Sequence, residues 1–338
     1  MKKSFKFLVS LILLFIIPFC AAFAQRGTTN VQRTNIRFVS GLPRNSDWGR
    51  ALDRLASDWA RVTNNQANVI MSHGSQMTEA QMLTSLRSNS IQVAVFTSAG
   101  MYEICPAIMN LSVPFMIRNN QELDLVLNDV KPTLESRVRD EFVVIAWSKA
   151  GWIYVFSKEP VVVPDDLRRL RLATSADLKD MNTVFRTMGF TMVETDLSNL
   201  GTRLASNMIS SFYLIPTLIT PMNLHRGLHM LNLPITPVMG AIVMNKVTWN
   251  QLGATNQREI LRVTQQTAAE FDAAMLRTES SAITTMEKGG LIINRPNQAQ
   301  QDLWRVLINN AMPSLIGPIY DRELNTRINN ILTRARSN

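Results

Sequence analysis

The sequence predicts an α/β protein of two lobes with a central cleft and one long helix backing both. Three observations carry that expectation. Strand-like runs alternate with helical runs in two separate stretches, Ile36 to Phe96 and Leu170 to Val193. A further apolar run, Met239 to Trp249, reads as the chain's return to where it began. Finally, the helical pattern from Asn256 to Glu287 would be roughly 50 Å long at ~1.5 Å per residue, more than a single lobe needs. A chain of 338 residues, 46% hydrophobic and 18% charged, has the length for about two domains and the apolar content to build their cores.

Residues 1–24 read as a secretory signal peptide. The start is basic at Lys2, Lys3 and Lys6, an apolar run follows from Phe7 to Phe19, and Ala22-Phe23-Ala24 supplies a small-x-small cleavage site. The expectation is an exported, periplasmic protein beginning near Gln25. Cys20 offers a rival reading as an acylated lipoprotein cysteine, but Pro18 and Phe19 stand where small residues are wanted. No later stretch reaches the ~20 apolar residues of a spanning helix. Cys105 is the only other cysteine, so no disulfide can form within the processed chain and core packing must hold the fold. Subtracting the three leader lysines from 35 basic residues leaves 32 against 26 acidic, a net of +6. These charges are dispersed, with Arg168, Arg169 and Arg171 the tightest group, and form no basic face interleaved with aromatics; a nucleic-acid role is excluded.

After a polar linker, Ile36-Arg37-Phe38-Val39 alternates as a strand does. Ser46 or Asp47 then caps a helix that places Ala51, Leu52, Leu55, Ala56, Trp59 and Val62 on one face. Strand Asn68 to Met71, helix Thr78 to Leu86 and strand Ile91 to Phe96 complete a doubly wound first lobe. Glu141 to Ala146 and Gly151 to Pro160 read as two strands crossing into the second lobe, with Trp152, Tyr154 and Phe156 on one face. There, strand Leu170 to Ala173 leads into a helix opened by Ser175, with Leu178, Met181, Val184 and Met188 inward and Gly189 closing it, and a parallel sheet is implied. A second helical run spans Ser198 to Asn207. The long helix opens at Asn256, with Glu259 three residues on, and buries Ile260, Val263, Thr267, Phe271 and Met275. Leu291-Ile292-Ile293 reads as an added strand and Gln298 to Arg336 as terminal helices.

The order of these elements, the stretch PDDLRRLRLATSADLKDMNTVFRTMGFTMV and the block PAIMNLSVPFMIRNNQE resemble the extracytoplasmic solute-binding proteins of TRAP transporters, the DctP-like family, over nearly the whole processed chain. Within it the chain is most similar to the TatP-like spirochaetal branch that works with a TPR-repeat lipoprotein. The resemblance implies the periplasmic binding protein fold, with residues 34–150 and 241–279 as the first lobe and 151–240 and 280–338 as the second. It also implies capture of a small solute, a membrane permease as partner, and neither cofactor nor catalysis.

In that family a strand ending in Arg clamps the ligand carboxylate. Aligned on Asp166-Leu167 this chain has Ala173 there, and aligned on Gly189 it has Thr174. The family's later Asp, Gly and Asn become Ser210, Ser211 and Leu214 or Ile215. Both polar clamps are thus missing, and an apolar solute is expected. Candidate ligand-binding residues are Trp48, Phe96, Thr97, Trp152, Tyr154, Ala173, Thr174, Leu197, Phe212, Tyr213 and Leu214; Arg171 could serve as an anchor if the register shifts. Of the eighteen methionines, Met208, Met239 and Met244 fall near the expected cleft, while most others, such as Met71, Met181 and Met188, sit at core-facing positions.

Catalytic constellations are scarce. His225 and His229 stand four apart in HRGLH, which would suit a metal on one helix face, but Gly227 intervenes and no HExxH glutamate is present, so a structural role is favoured. The third histidine is His73. The chain has no G-x-S-x-G elbow, P-loop or dinucleotide fingerprint, and Cys105 has no neighbouring His and reads as core. An exported hydrolase is the alternative class, and a binding protein acting as a sensor the alternative within binders.

Overall fold

The computed structural model describes residues 33–337. The expected leader, its cleavage site and Cys20 lie outside them. Strand β1 (Thr34–Val39), helix α1 (Asp47–Val62), β2 (Ala67–Ser72), α2 (Glu79–Arg87), β3 (Val93–Thr97) and α3 (Ser98–Ile104) follow the alternation of the first stretch. β1 lies between β2 and β3, parallel to both. Ser46 caps α1 by accepting the Gly49 N–H, and Thr78 with Gln81 forms a capping box on α2.

Helix α4 (Asn120–Val138) precedes β4 (Phe142–Ser157), a single strand of 16 residues where the sequence suggests two. The polar SKAG segment reads as a break. In the fold, Ser148 Oγ and the Lys149 N–H both donate to Asp272 at 2.8 Å, and a register shift between Lys149 and Gly151 absorbs the irregularity.

Next come α5 (Pro164–Arg168), β5 (Arg171–Thr174), α6 (Lys179–Thr187), β6 (Thr191–Glu194), α7 (Leu200–Ala205), β7 (Ser211–Leu214), α8 (Pro216–Met222), β8 (His229–Leu231) and β9 (Thr236–Asn245). β5 is parallel to β6 and β7, as the strand-helix-strand pattern requires. Helix α6 starts four residues later than expected, because Ser175 to Leu178 closes a turn first, the Leu178 N–H donating to the Ser175 carbonyl. Gly189 at φ +85 stands just past the C-cap Met188.

The last elements are α9 (Lys246–Gln251), α10 (Gly253–Lys288), β10 (Ile292–Asn294), α11 (Gln298–Leu315) and α12 (Arg322–Ser337). Helix α10 is unbroken over 36 residues, about 54 Å, and opens three residues before Asn256. Its buried stripe takes Thr264 where Thr267 was expected, and extends through Glu279, Ala282 and Met286. The Trp59 indole donates to Thr264 Oγ1 at 2.8 Å, tying α1 to the start of this helix.

Strands run in the order β2-β1-β3-β9-β4-β7-β5-β6, with β8 beside the end of β4 and β10 beyond it. β4 and β9 are antiparallel from Phe142 to Ile153, after which Tyr154 to Ser157 pair with β7. These two long strands therefore run out of one group of elements and into the other, giving the two-lobe α/β fold. Helix α11 packs on α5 and α6, whereas α12 packs on α4. Arg336 donates twice to Glu122 at 2.8 Å, Arg137 pairs with Asp321 at 2.8 Å, and Arg327 pairs with Asp129.

Candidate functional site

At the end of β5, where a charged anchor would stand, the residues are neutral and satisfied by one another. Thr174 is 4% exposed. Its Oγ1 donates to Asn182 of α6 and lies 2.8 Å from the Tyr213 hydroxyl of β7. Asn182 in turn donates to the Ser175 carbonyl at 2.9 Å. Burial pushes the Tyr213 hydroxyl up to about 12, so it stays a neutral donor. Its ring packs on Phe185 with centroids 5.0 Å apart.

Neighbouring residues on a strand face opposite ways, which divides the candidates. Ala173 and Phe212 lie on the other face of the sheet from Thr174 and Tyr213. They belong to one apolar cluster with Trp152, Tyr154 and Phe156, with half-buried Leu214 packed against it. Phe156 stacks on Phe212 at 5.4 Å. Phe96, fully buried, joins the same cluster from β3.

Arg171 is exposed at the opposite end of β5 from Thr174. Its guanidinium donates to the carbonyls of Met208, at 2.9 Å, and Asn207. Met208 is itself exposed, while Met239 and Met244 are buried in β9.

Two acids that the sequence reading passed over line the underside of α10. The Trp152 N–H donates to Glu279 Oε2 at 2.7 Å, and the Tyr154 hydroxyl donates to Oε1 at 3.4 Å. Glu279 is 6% exposed, and burial raises its carboxyl above the usual range. Burial raises Asp272 likewise. Lys149 Nζ reaches Asp124 at 2.7 Å and Asp272 at 3.8 Å. The Trp152 indole is engaged as well, donating to Asn120 Oδ1 at 3.1 Å. A signal existed in the sequence: Glu279 falls four residues after Met275, on the stripe of Phe271 and Met275.

In the first lobe, Thr97 is exposed but its donors are taken, its N–H and hydroxyl both donating to Glu79 at 2.8 and 2.9 Å. Trp48 stands apart, packed on Phe271 of α10 beside an apolar cavity of about 30 Å³. Leu197 is 48% exposed on a 3-10 turn. Between α3 and α6, the Asp180 carboxylate beside Tyr102 pushes that hydroxyl up to about 12.

The histidines do not converge. His73 Nε2 meets Asp53 Oδ1 at 2.8 Å, His225 is buried in a loop, and His229 opens β8, where it faces Asn294 at 3.2 Å. The HRGLH segment is therefore not a helix. Cys105 is buried, and burial raises its thiol.

The profile of bacterial extracellular solute-binding protein, family 7, DctP, matches residues 38–315. No curated protein matches the chain. Solved structures with the same fold include the TRAP periplasmic solute-binding protein of Ochrobactrum anthropi, whose C terminus is bound in its ligand-binding pocket. It is 15% identical, with TM-score 0.82 over 91% of this chain and 97% of that one. A second, from Ralstonia eutropha H16 with bound (S)-2-acetolactate, is 15% identical, with TM-score 0.76 over 89% and 99%. A third, the sugar acid binding protein of Advenella mimigardefordensis in complex with galactonate, is 16% identical, with TM-score 0.75 over 90% and 99%.

Proposed function

We propose that this chain, which belongs to bacterial extracellular solute-binding protein family 7 (DctP), is the extracytoplasmic binding subunit of a TRAP-type secondary transporter, and that it captures a small apolar solute between its lobes for a membrane permease. The family is one of solute binders and not of enzymes. The observation that carries the apolar reading is the neutral Thr174–Asn182–Tyr213 cluster at the end of β5. A carboxylate enclosed in a cleft needs a paired charge or several donors, and leaving it unpaired costs several kcal/mol. Here Thr174 and Asn182 answer one another, and Arg171 is committed to backbone carbonyls at the far end of its strand. Acetolactate and galactonate, the ligands of the two relatives, are acids. Apolar walls would instead gain about 25 cal/mol for each Å² of solute surface removed from water.

The capturing lobes in this reading are residues 34–150 with 241–279 and 151–240 with 280–338. Support comes from β4, which passes Gly151 before it pairs with β7. Helix α12 straps the end of the chain back onto α4. Of the candidate contacts named from the sequence, Ala173, Phe212 and Leu214 lie on one face at the ends of β5 and β7 and Thr174 and Tyr213 on the other, while Trp48, packed on Phe271, and Thr97, donating to Glu79, stand outside that group. Signal-peptide cleavage near Gln25 rests on the basic start, the apolar run and the Ala22-Phe23-Ala24 site, and a TPR-repeat lipoprotein partner on the sequence resemblance; the latter is tested by co-purification on the tagged native protein.

Titration of the delipidated protein with C4 dicarboxylates, sialic acid, medium-chain fatty acids and their amides tests the solute class. Binding that strengthens with chain length and survives Arg171→Ala is expected. Micromolar dicarboxylate binding that vanishes in Arg171→Ala refutes the apolar reading. Mass spectrometry of an organic-solvent extract of the native protein identifies the solute directly.

A further inference from the structure

Of the two acids under α10, half-buried Asp272 is answered by a cation, and buried Glu279 has none among the described residues. Asp272 has the Lys149 ammonium 3.8 Å away in addition to two donors. Among the described residues, Glu279 has only the Trp152 N–H and the Tyr154 hydroxyl. A buried carboxylate without a counter-charge is costly, and an apolar residue would suit the stripe of Phe271, Met275 and Ala282 better. Its location makes that cost informative. Trp152 follows Gly151, which sits at φ +112 beside the register shift of β4, three residues before that strand begins to pair with β7.

We propose that Glu279 is the positioning residue of the hinge: its carboxyl group, accepting the Trp152 N–H, clamps β4 to the backing helix where the chain crosses between lobes, so that reorienting the lobes makes or breaks this contact and the proton on Glu279 biases the two arrangements. This rests on the two-lobe capture reading and adds a proton linkage to it. Burial holds the Glu279 carboxyl above its usual range in the present arrangement. An arrangement in which water reaches it returns it toward the ordinary value. Protonation therefore favours the present arrangement, and rising pH favours the one in which Glu279 is hydrated.

The surrounding charge leaves Glu279 as the group poised for this. From β4 it faces the Tyr154 hydroxyl, and Lys149 is held by Asp124 and Asp272. Helix α8, packed on α10, carries no titratable side chain. Arg277, Glu287 and Lys288 of α10 are exposed. Arg54, Asp58 and Arg61 of α1 border Arg262 and Glu270 in the first half of α10, and Lys246 belongs to α9 at its start.

The test combines small-angle scattering with selective ¹⁵N-tryptophan labelling, following the radius of gyration and the Trp152 amide shift of the full chain between about pH 4 and 8. In the unaltered protein both are expected to change over one pH interval, and both to be flat in Glu279→Gln. A radius that stays constant while the Trp152 amide titrates overturns the proposal, as does a radius that responds to pH equally in Glu279→Gln. If that variant does not fold, midpoints in the unaltered protein that differ by more than about one pH unit overturn it. Decanamide binding, measured in parallel, separates the two readings: a protein that binds decanamide with a pH-independent radius has no proton-linked clamp but remains a capturing protein.

Discussion

A Cβ on Gly151 would stand 2.5 Å from Glu279 Oε2, so the strand glycine and the helix carboxylate, 128 positions apart, are fitted to each other. The same glycine sits at φ +112, which side-chain-bearing residues rarely adopt. Gly151→Ala is expected to destabilise the fold by about 1–3 kcal/mol. Combining it with Glu279→Ala should recover the steric part and leave the backbone part, a non-additivity that urea unfolding of the single and double variants measures.

The pH dependence of stability has two limbs with opposite signs. Glu279 and Asp272 have carboxyls raised by burial, so the native state holds their protons more tightly than the unfolded chain does. Their contribution is fully present below the ordinary carboxylate value and is lost as pH rises through the raised one. Glu122 and Asp321 are lowered: burial alone would raise both, and it is more than offset at Glu122 chiefly by Arg336 and at Asp321 first by the Leu324 N–H and then by Arg137. Their contribution is present above the ordinary value and is lost as pH falls. Thermal midpoints taken across the acid range should show Glu279→Gln flattening the rising-pH limb and Glu122→Gln flattening the acid limb.

The C-terminal strap can be tested through Arg336. It donates twice to Glu122, which is 8% exposed, and once to the Met116 carbonyl at 2.6 Å. Arg336→Ala leaves that carboxylate with the Arg118 N–H as its remaining charge-stabilising donor near the helix start. A loss of about 1–3 kcal/mol in denaturant unfolding is expected, with Glu122→Gln in the same background restoring part of it.

Tyr213→Phe removes the hydroxyl beside Thr174 and keeps the ring against Phe185. The expected cost is about 1 kcal/mol of stability, read from urea unfolding. Decanamide affinity should be retained, because the hydroxyl serves Thr174; a tenfold loss of affinity would mean that it serves the solute.

Export leaves its own measurable trace. The protein recovered from cells is expected to begin near Gln25 and to partition into the aqueous phase of a detergent separation. Recovery in the detergent phase, abolished by Cys20→Ser, would assign an acyl anchor.

By itself the sequence determined what local periodicity can carry. The apolar spacing of α1 and α10, the cap at Ser46 or Asp47 and the alternation of strands and helices each report the buried side of one element, and together they specify a two-lobe α/β chain. The neutral character of position 174 was also legible, because charge is written in the residue itself. Tertiary structure alone decided which polar group meets which. SKAG reads as a break until Asp272, more than 120 positions later, takes its donors and keeps β4 whole. Thr97 reads as free to bind until Glu79 claims both its donors. Trp48 reads as a cleft residue until Phe271 covers it, and Glu279 reads as one more helix acid until β4 lies beneath it. The physical reason is the range of the forces: periodicity expresses burial averaged over a face, whereas a hydrogen bond exists only at about 3 Å, and which atoms reach that distance is set by how whole elements pack.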